Sequence, residues 1–249
     1  MSTYPSLPAD APSAPSTPAR TGPGRRVTDA PTRMLHWLFA LCFVGAYLSG
    51  DSERLRALHV TLGYTMMGLL VARLLYGLIG PRTLRPALLW NKLKPAPRCL
   101  LELPLNLLRG QVNWQQLQNL ATALLLLLVI PLTLSGYAVN AEWGGEWLEE
   151  LHELVGNGTL ALVFGHLGLL LTMSLLRGRN QAMPMLTGRI PGQGADLVRR
   201  NHLWLAALLL LTVLAYWGWE WQQAPNGLLS LQDLTTLTRA DDGDDGDDD

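Results

Sequence analysis

The chain has 249 residues, 49% of them hydrophobic and 16% charged, with a formal net charge of -1. An ordinary soluble domain carries about a quarter charged residues, so this composition excludes that class. Two cysteines, Cys42 in an apolar run and Cys99 in a connecting loop, do not make a disulfide framework.

Residues Met1 to about Pro23 are rich in Pro, Ser, Ala and Thr, without an apolar run, and read as a disordered tail rather than a secretory signal. Five apolar runs follow, at about residues 34 to 50, 59 to 80, 119 to 139, 154 to 176 and 202 to 219. Each approaches the length of a transmembrane helix, and in lipid only a helix satisfies its backbone within one segment. Arg25, Arg26 and Arg33 precede the first run; Arg82, Arg85, Lys92, Lys94, Arg98 and Arg109 follow the second; Arg177, Arg179, Arg189, Arg199 and Arg200 follow the fourth. The alternate connections are neutral (Asp51, Glu53, Arg54, Arg56) or acidic (Glu142, Glu146, Glu149, Glu150), and the chain ends ADDGDDGDDD. Positive charge marks the cytoplasmic side, so the expectation is five spans with the N-terminus in and the C-terminus out. The one long connection, Leu88 to Leu117, is broken by Pro95, Pro97 and Pro104 and carries Trp90 and Trp114. One or two short helices on the cytoplasmic face are expected there.

The five histidines acquire depths from this topology. On the fourth run, His152 and His166 lie within about 40° of one helical face and about 21 Å apart along the axis. His152 is then periplasmic and His166 deep toward the cytoplasm. His36 sits near the cytoplasmic end of the first run and His59 opens the second at the periplasmic end. The four sort into two levels, His36 with His166 and His59 with His152, each offering imidazoles from two helices. A haem whose iron only carries electrons takes two such ligands. The absence of Cys-x-x-Cys-His excludes covalent attachment through that motif. Arg73 shares the face of His59 at the level of the inner pair, with no acidic side chain in any span at its depth. A guanidinium in lipid needs an anion, and a haem propionate supplies one; Arg33 is a second candidate. Gly45, Gly63, Gly68, Gly165 and Gly168 could make room for a flat ring or for close helices. His202, beside Arg199 and Arg200, falls outside both pairs and reads as an interfacial residue.

The motifs VTDAPTRMLHW (Val27 to Trp37), RLLYGLIGPR (Arg73 to Arg82), LHELVGNGTLALVFGH (Leu151 to His166) and RGRNQAMPMLTGR (Arg177 to Arg189) resemble the bacterial di-haem membrane cytochromes b, of the cytochrome b561 and hydrogenase cytochrome b type. The resemblance implies an all-α, four-helix di-haem transmembrane bundle, here with a fifth transmembrane helix. It implies two haem b, with His36 and His166 on one iron and His59 and His152 on the other. It also implies electron exchange with quinone or with a redox protein such as a c-type cytochrome or dehydrogenase subunit. Trp114 to Leu120 lacks the glycine-rich, histidine-containing stretch of many relatives. The expected organisation is a cytoplasmic tail (1-26), the di-haem domain (27-190), the fifth helix and its lead-in (191-221) and an acidic periplasmic tail (222-249), in a bacterial inner membrane, with lipid and no nucleic acid as partner. The expected function is single-electron carriage between the quinone pool and a redox protein, either as an electron-transfer protein or as a quinone-linked oxidoreductase. One alternative is the membrane anchor of a hydrogenase or dehydrogenase complex. Another, of a different class, is a non-haem metal transporter or structural membrane protein, though a zinc site draws three or four ligands together and each level offers two.

Overall fold

The computed structural model describes residues 24–79, 93–192, 195–198 and 200–223. Most of the proposed tails (1–23 and 224–249), Arg82, Arg85, Trp90, Lys92 and Arg199 lie outside the described residues. The chain forms helices α1 (Ala30–Ser49), α2 (Arg56–Ile79), α3 (Ala96–Leu108), α4 (Trp114–Asn140), α5 (Glu146–Arg177), α6 (Met183–Thr187) and α7 (Leu203–Gln223). A two-residue antiparallel pair joins β1 (Arg25–Arg26) to β2 (Arg189–Ile190).

Among the described residues, four segments are long and apolar enough to cross a membrane: Glu53–Leu78, which takes in a 3-10 turn and most of α2, and the whole of α4, α5 and α7. The chain is therefore a mostly helical, multi-pass membrane protein in contact with lipid. The first expected span is also a helix, α1, but it is not among the four. Arg33, His36, Trp37 and Tyr47 dilute its apolar run. Elsewhere the helices extend beyond the apolar runs, most at α5, whose 32 residues correspond to about 48 Å at 1.5 Å per residue.

Local chemistry explains the boundaries. Asp29 caps α1, its Oδ1 accepting from the Thr32 N–H at 3.0 Å, and Pro31 sits in the first turn, where its missing N–H costs nothing. Asn113 caps α4 in the same way through the Gln116 N–H. Glu146 and Glu149 occupy the first turn of α5 and Arg177 the last, both favourable to the helix dipole. Gly178, at φ 59°, then ends the helix in the left-handed conformation that glycine adopts without strain.

The proline-rich connection carries a short helix, as expected. Pro97 falls in the first turn of α3 and Pro104 lies inside the helix, which also places Cys99 on a helix rather than in a loop. Pro131 is likewise accommodated inside α4. Hydroxyl groups inside the bundle bond to carbonyls one turn back, as Thr61 does to Ala57, Thr65 to Thr61 and Thr133 to Val129, so few polar hydrogens are left to the lipid.

The core is built by α1, α2, α4 and α7, with Leu35, Leu38, Cys42, Phe43, Met66, Leu69, Leu132 and Val213 buried together. Helix α5 packs chiefly on α4, and α1 on α2 and α7. Leu154, Phe164, Leu167, Leu171 and Leu175 on α5 and Trp204, Leu208, Leu211 and Leu214 on α7 are exposed, the surface of helices solvated by acyl chains. At the end where α1 begins, the polypeptide is tied into a knot. The Val27 and Thr28 N–H groups donate to the Gly188 carbonyl at 2.9 and 3.2 Å, the Ala30 N–H to Asn201, and the Leu197 N–H to Arg26.

Asp29 is the polar centre of this knot. It is 2% exposed and, besides capping α1, accepts the Tyr76 hydroxyl at 2.6 Å through Oδ2. Asp29→Ala removes both acceptors at once and is expected to cost about 1–3 kcal/mol, read as a lower unfolding temperature of the detergent-solubilised protein. Asp29→Asn, which keeps a capping oxygen but loses the charge near Arg73 and the second acceptor, is expected to recover only part of that loss.

Candidate haem-ligand site

His59, near the start of α2, and His152, in the second turn of α5, bring their rings together with centroids 6.0 Å apart and planes at 83°. Each ring is fixed through its other nitrogen. His59 Nδ1 is 2.8 Å from the Ala46 carbonyl of α1, an acceptor only, so Nδ1 carries the hydrogen and donates it. His152 Nδ1 is 3.0 Å from Ser135 Oγ of α4, whose own hydroxyl donates to the Leu132 carbonyl at 3.2 Å. The serine hydrogen being so committed, Nδ1 of His152 is again the donor. In both rings Nε2 is left as the unprotonated nitrogen, the form that ligates a metal.

Gly136 explains how α4 comes so close to this ring. A Cβ added there would lie 2.8 Å from His152 Cε1 and 3.3 Å from Nδ1, closer than atoms pack. Among the glycines singled out in the sequence, Gly63, Gly68, Gly165 and Gly168 have open space where a side chain would stand. A Cβ added at Gly45 would instead lie 2.7 Å from Leu62 Cδ1, so this glycine serves helix packing.

At the other level, His166 Nδ1 is 2.9 Å from the side-chain amide of Gln118, in the second turn of α4. His36 of α1 lies within electrostatic reach of His166 and stacks edge-on against Trp37 at 5.4 Å. The Trp37 indole N–H donates to the Met185 carbonyl at 3.1 Å, and Arg33 donates to the Leu186 carbonyl at 2.9 Å, so α6 braces the turn of α1 that bears His36. Arg33 Nε is buried with no partner, a cationic donor open to an anion.

Arg73 has an anion that the sequence reading missed. Asp29 lies within its electrostatic reach, as does Tyr76. Asp29 stands just outside the first span, where an Asp immediately before an apolar run marks a helix cap. His202 belongs to neither pair. It opens α7 with φ 44° and its carbonyl accepts the Leu205 N–H at 3.0 Å.

The outer pair can be tested against the group it would hold. Two imidazoles bonded to opposite sides of one metal at the usual nitrogen distance of about 2.0–2.1 Å have ring centroids about 6.3 Å apart. The 6.0 Å between His59 and His152 fits that arrangement. Among the described residues no three His, Cys, Asp or Glu side chains converge as a tetrahedral metal site would require.

The architecture is that of a multi-pass membrane protein carrying paired imidazoles on different helices. A family model described as prokaryotic cytochrome b561 matches residues 27–188, and the chain belongs to that family. It is a membrane b-type cytochrome, a haem-binding protein of transmembrane electron transfer, which sets aside the transporter and scaffold readings. No curated protein and no solved structure matches the chain. The ends of the matched segment meet in space, through the bonds from Val27 and Thr28 to Gly188. Helix α7 lies beyond it yet packs on the same bundle, with the Trp217 indole donating to Thr65 Oγ1 at 2.9 Å.

Because Gly136 admits the His152 ring, Gly136→Val is expected to weaken haem retention roughly 10-fold or more. Haem per chain after purification measures this. Gly218→Ala, which fills open space on α7 beyond the matched segment, leaves the haem content unchanged.

Proposed function

We propose that this cytochrome carries single electrons across a bacterial inner membrane through two b haems, one at each level of the bundle. His36 and His166 hold the cytoplasmic haem and His59 and His152 the periplasmic one. The observation that carries the reading is the outer ring pair, 6.0 Å apart with both Nδ1 groups engaged by acceptors on neighbouring helices.

When bound, haem supplies reversible one-electron exchange at its iron. The chain's own residues do the rest. Two imidazoles would hold each haem iron, His36 with His166 and His59 with His152. Arg33, with its unpartnered Nε, serves a propionate of the cytoplasmic haem. Arg73 divides its charge between Asp29 and a propionate, which explains a guanidinium kept near a carboxylate already bonded by Tyr76 and Thr32. The apolar flanks of α5 and α7 exclude water from the space between.

The orientation follows the charges. Arg25, Arg26, Arg177, Arg179 and Arg189 gather at the end where α1 begins, and Glu142, Glu146, Glu149 and Glu150 at the other, which supports an N-in arrangement with α1 as the first of five spans and the C-terminus out. Residues 27-190 then form the di-haem domain and 191-221 the fifth helix with its lead-in, between a cytoplasmic tail and an acidic periplasmic one. Quinone in the membrane is the proposed exchange partner at one level and a redox protein at the other.

A reduced-minus-oxidised spectrum with haem quantification tests the proposal. Two b haems per chain are expected; His36→Ala or His166→Ala removes one, and His59→Ala or His152→Ala the other. Removal of the same haem by His36→Ala and His59→Ala overturns the pairing.

A further inference from the structure

The acceptors that hold the imidazoles are not alike. His59 gives its Nδ1 hydrogen to a backbone carbonyl, and His152 to a hydroxyl that is itself tied to Leu132. His166 alone meets a carboxamide: as placed, Nε2 of Gln118 stands 2.9 Å from its Nδ1, and a half-turn of the amide brings Oε1 there instead. Gln118 is 8% exposed, at the polar start of an otherwise apolar helix, and its Oε1 is buried with no hydrogen-bond partner.

A buried glutamine is costly in lipid unless its polar atoms are used. A carboxamide offers a donor end and an acceptor end that exchange by a half-turn, and no donor to Oε1 pins the amide of Gln118 in one sense. An imidazole that ligates through Nε2 carries hydrogen on Nδ1 and requires an acceptor there, which fixes the ring plane and strengthens donation to the metal. Oε1 of Gln118 is the atom that meets this requirement for His166.

We propose that Gln118 is a positioning residue. Its Oε1 accepts the Nδ1 hydrogen of His166, sets the plane of that ring and holds the reduction potential of the cytoplasmic haem below the value it has without the bond. The inference rests on the assignment of His166 as a ligand. It gives the two levels different acceptors and so a means of setting their potentials independently.

The test is a potentiometric titration of the full-length, haem-loaded protein, following each haem by its absorbance and the low-spin ferric signals by electron paramagnetic resonance. Gln118→Leu removes the acceptor. At a fixed ambient potential it is expected to raise the ferrous-to-ferric ratio of one haem about 10-fold, an upward shift of about 59 mV for one electron. Gln118→Glu offers a stronger acceptor and moves the same haem in the opposite direction. The haem that moves is the one that His166→Ala removes, and the other stays in place. Shifts of the same sign in both variants, equal shifts of both haems, or no shift in either overturn the role of Gln118. A wild-type protein with one haem, or a His166→Ala variant that keeps two, overturns the ligand assignment instead.

Discussion

A ring N–H turned into hydrocarbon without an acceptor is among the costlier things a membrane helix can carry, and the placement of the acceptors decides where each imidazole can stand. Ala46 on α1 orients His59 on α2, and Ser135 on α4 orients His152 on α5. In neither pairing do ring and acceptor share a helix, so the relative positions of four helices are recorded in two hydrogen bonds. The second nitrogen of each ring is left uncommitted, and the metal-ligating tautomer follows from packing rather than from any feature of the histidine itself. The same demand accounts for Gly136, one residue after Ser135, because a hydroxyl can reach His152 only if the adjacent backbone comes almost to the ring.

The other end of the bundle is held by backbone carbonyls and one carboxylate. Asp29 caps α1, accepts from Tyr76 at the end of α2 and lies within electrostatic reach of Arg73 one turn earlier, so one buried carboxylate serves three polar groups. Around it, α6 supplies carbonyls to Arg33 and Trp37, and the lead-in to α7 supplies Asn201 to the Ala30 N–H. A helix outside the family match thus contributes to the seat of α1. With Trp217 bonded to Thr65 and Val213 in the common core, α7 is integrated into the bundle along its length.

Much of this architecture was legible in the sequence because lipid simplifies the code. Uninterrupted apolar runs became helices. Spacing along one helix was equally plain, since it depends only on residue number. What single-helix periodicity does not carry is the identity of a neighbour on another helix. Ser135 and Gln118 read as stray polar residues in apolar runs until α5 is laid beside α4. The anion near Arg73 is not legible from the spans because Asp29 precedes its helix, and Cys99 falls on a helix rather than in a loop because prolines are accommodated when they fall in a first turn or lose a single bond. The first expected span is the opposite case: α1 forms as a helix while its polar first turns keep it short of a spanning composition.

Helix α5 has the character of a measuring rod. It contains no interior proline, unlike α4 with Pro131, and makes its main packing contact with that one neighbour. A straight helix fixes the rise between His152 and His166 at about 21 Å whatever happens at its ends. On α4, running the other way, Ser135 and Gln118 stand about 26 Å apart at the same rise per residue, close enough to that interval for each to meet its own histidine. The pairing of α4 with α5 therefore sets the two imidazoles as a unit, and α1 and α2 need only deliver His36 and His59 to positions already defined. That division of labour explains why α1 is so heavily tied at its origin. The knot around Asp29 and the bracing of Arg33 and Trp37 by α6 place His36 along its axis, a task that α5, fixed along its length by α4, does not require of its own termini.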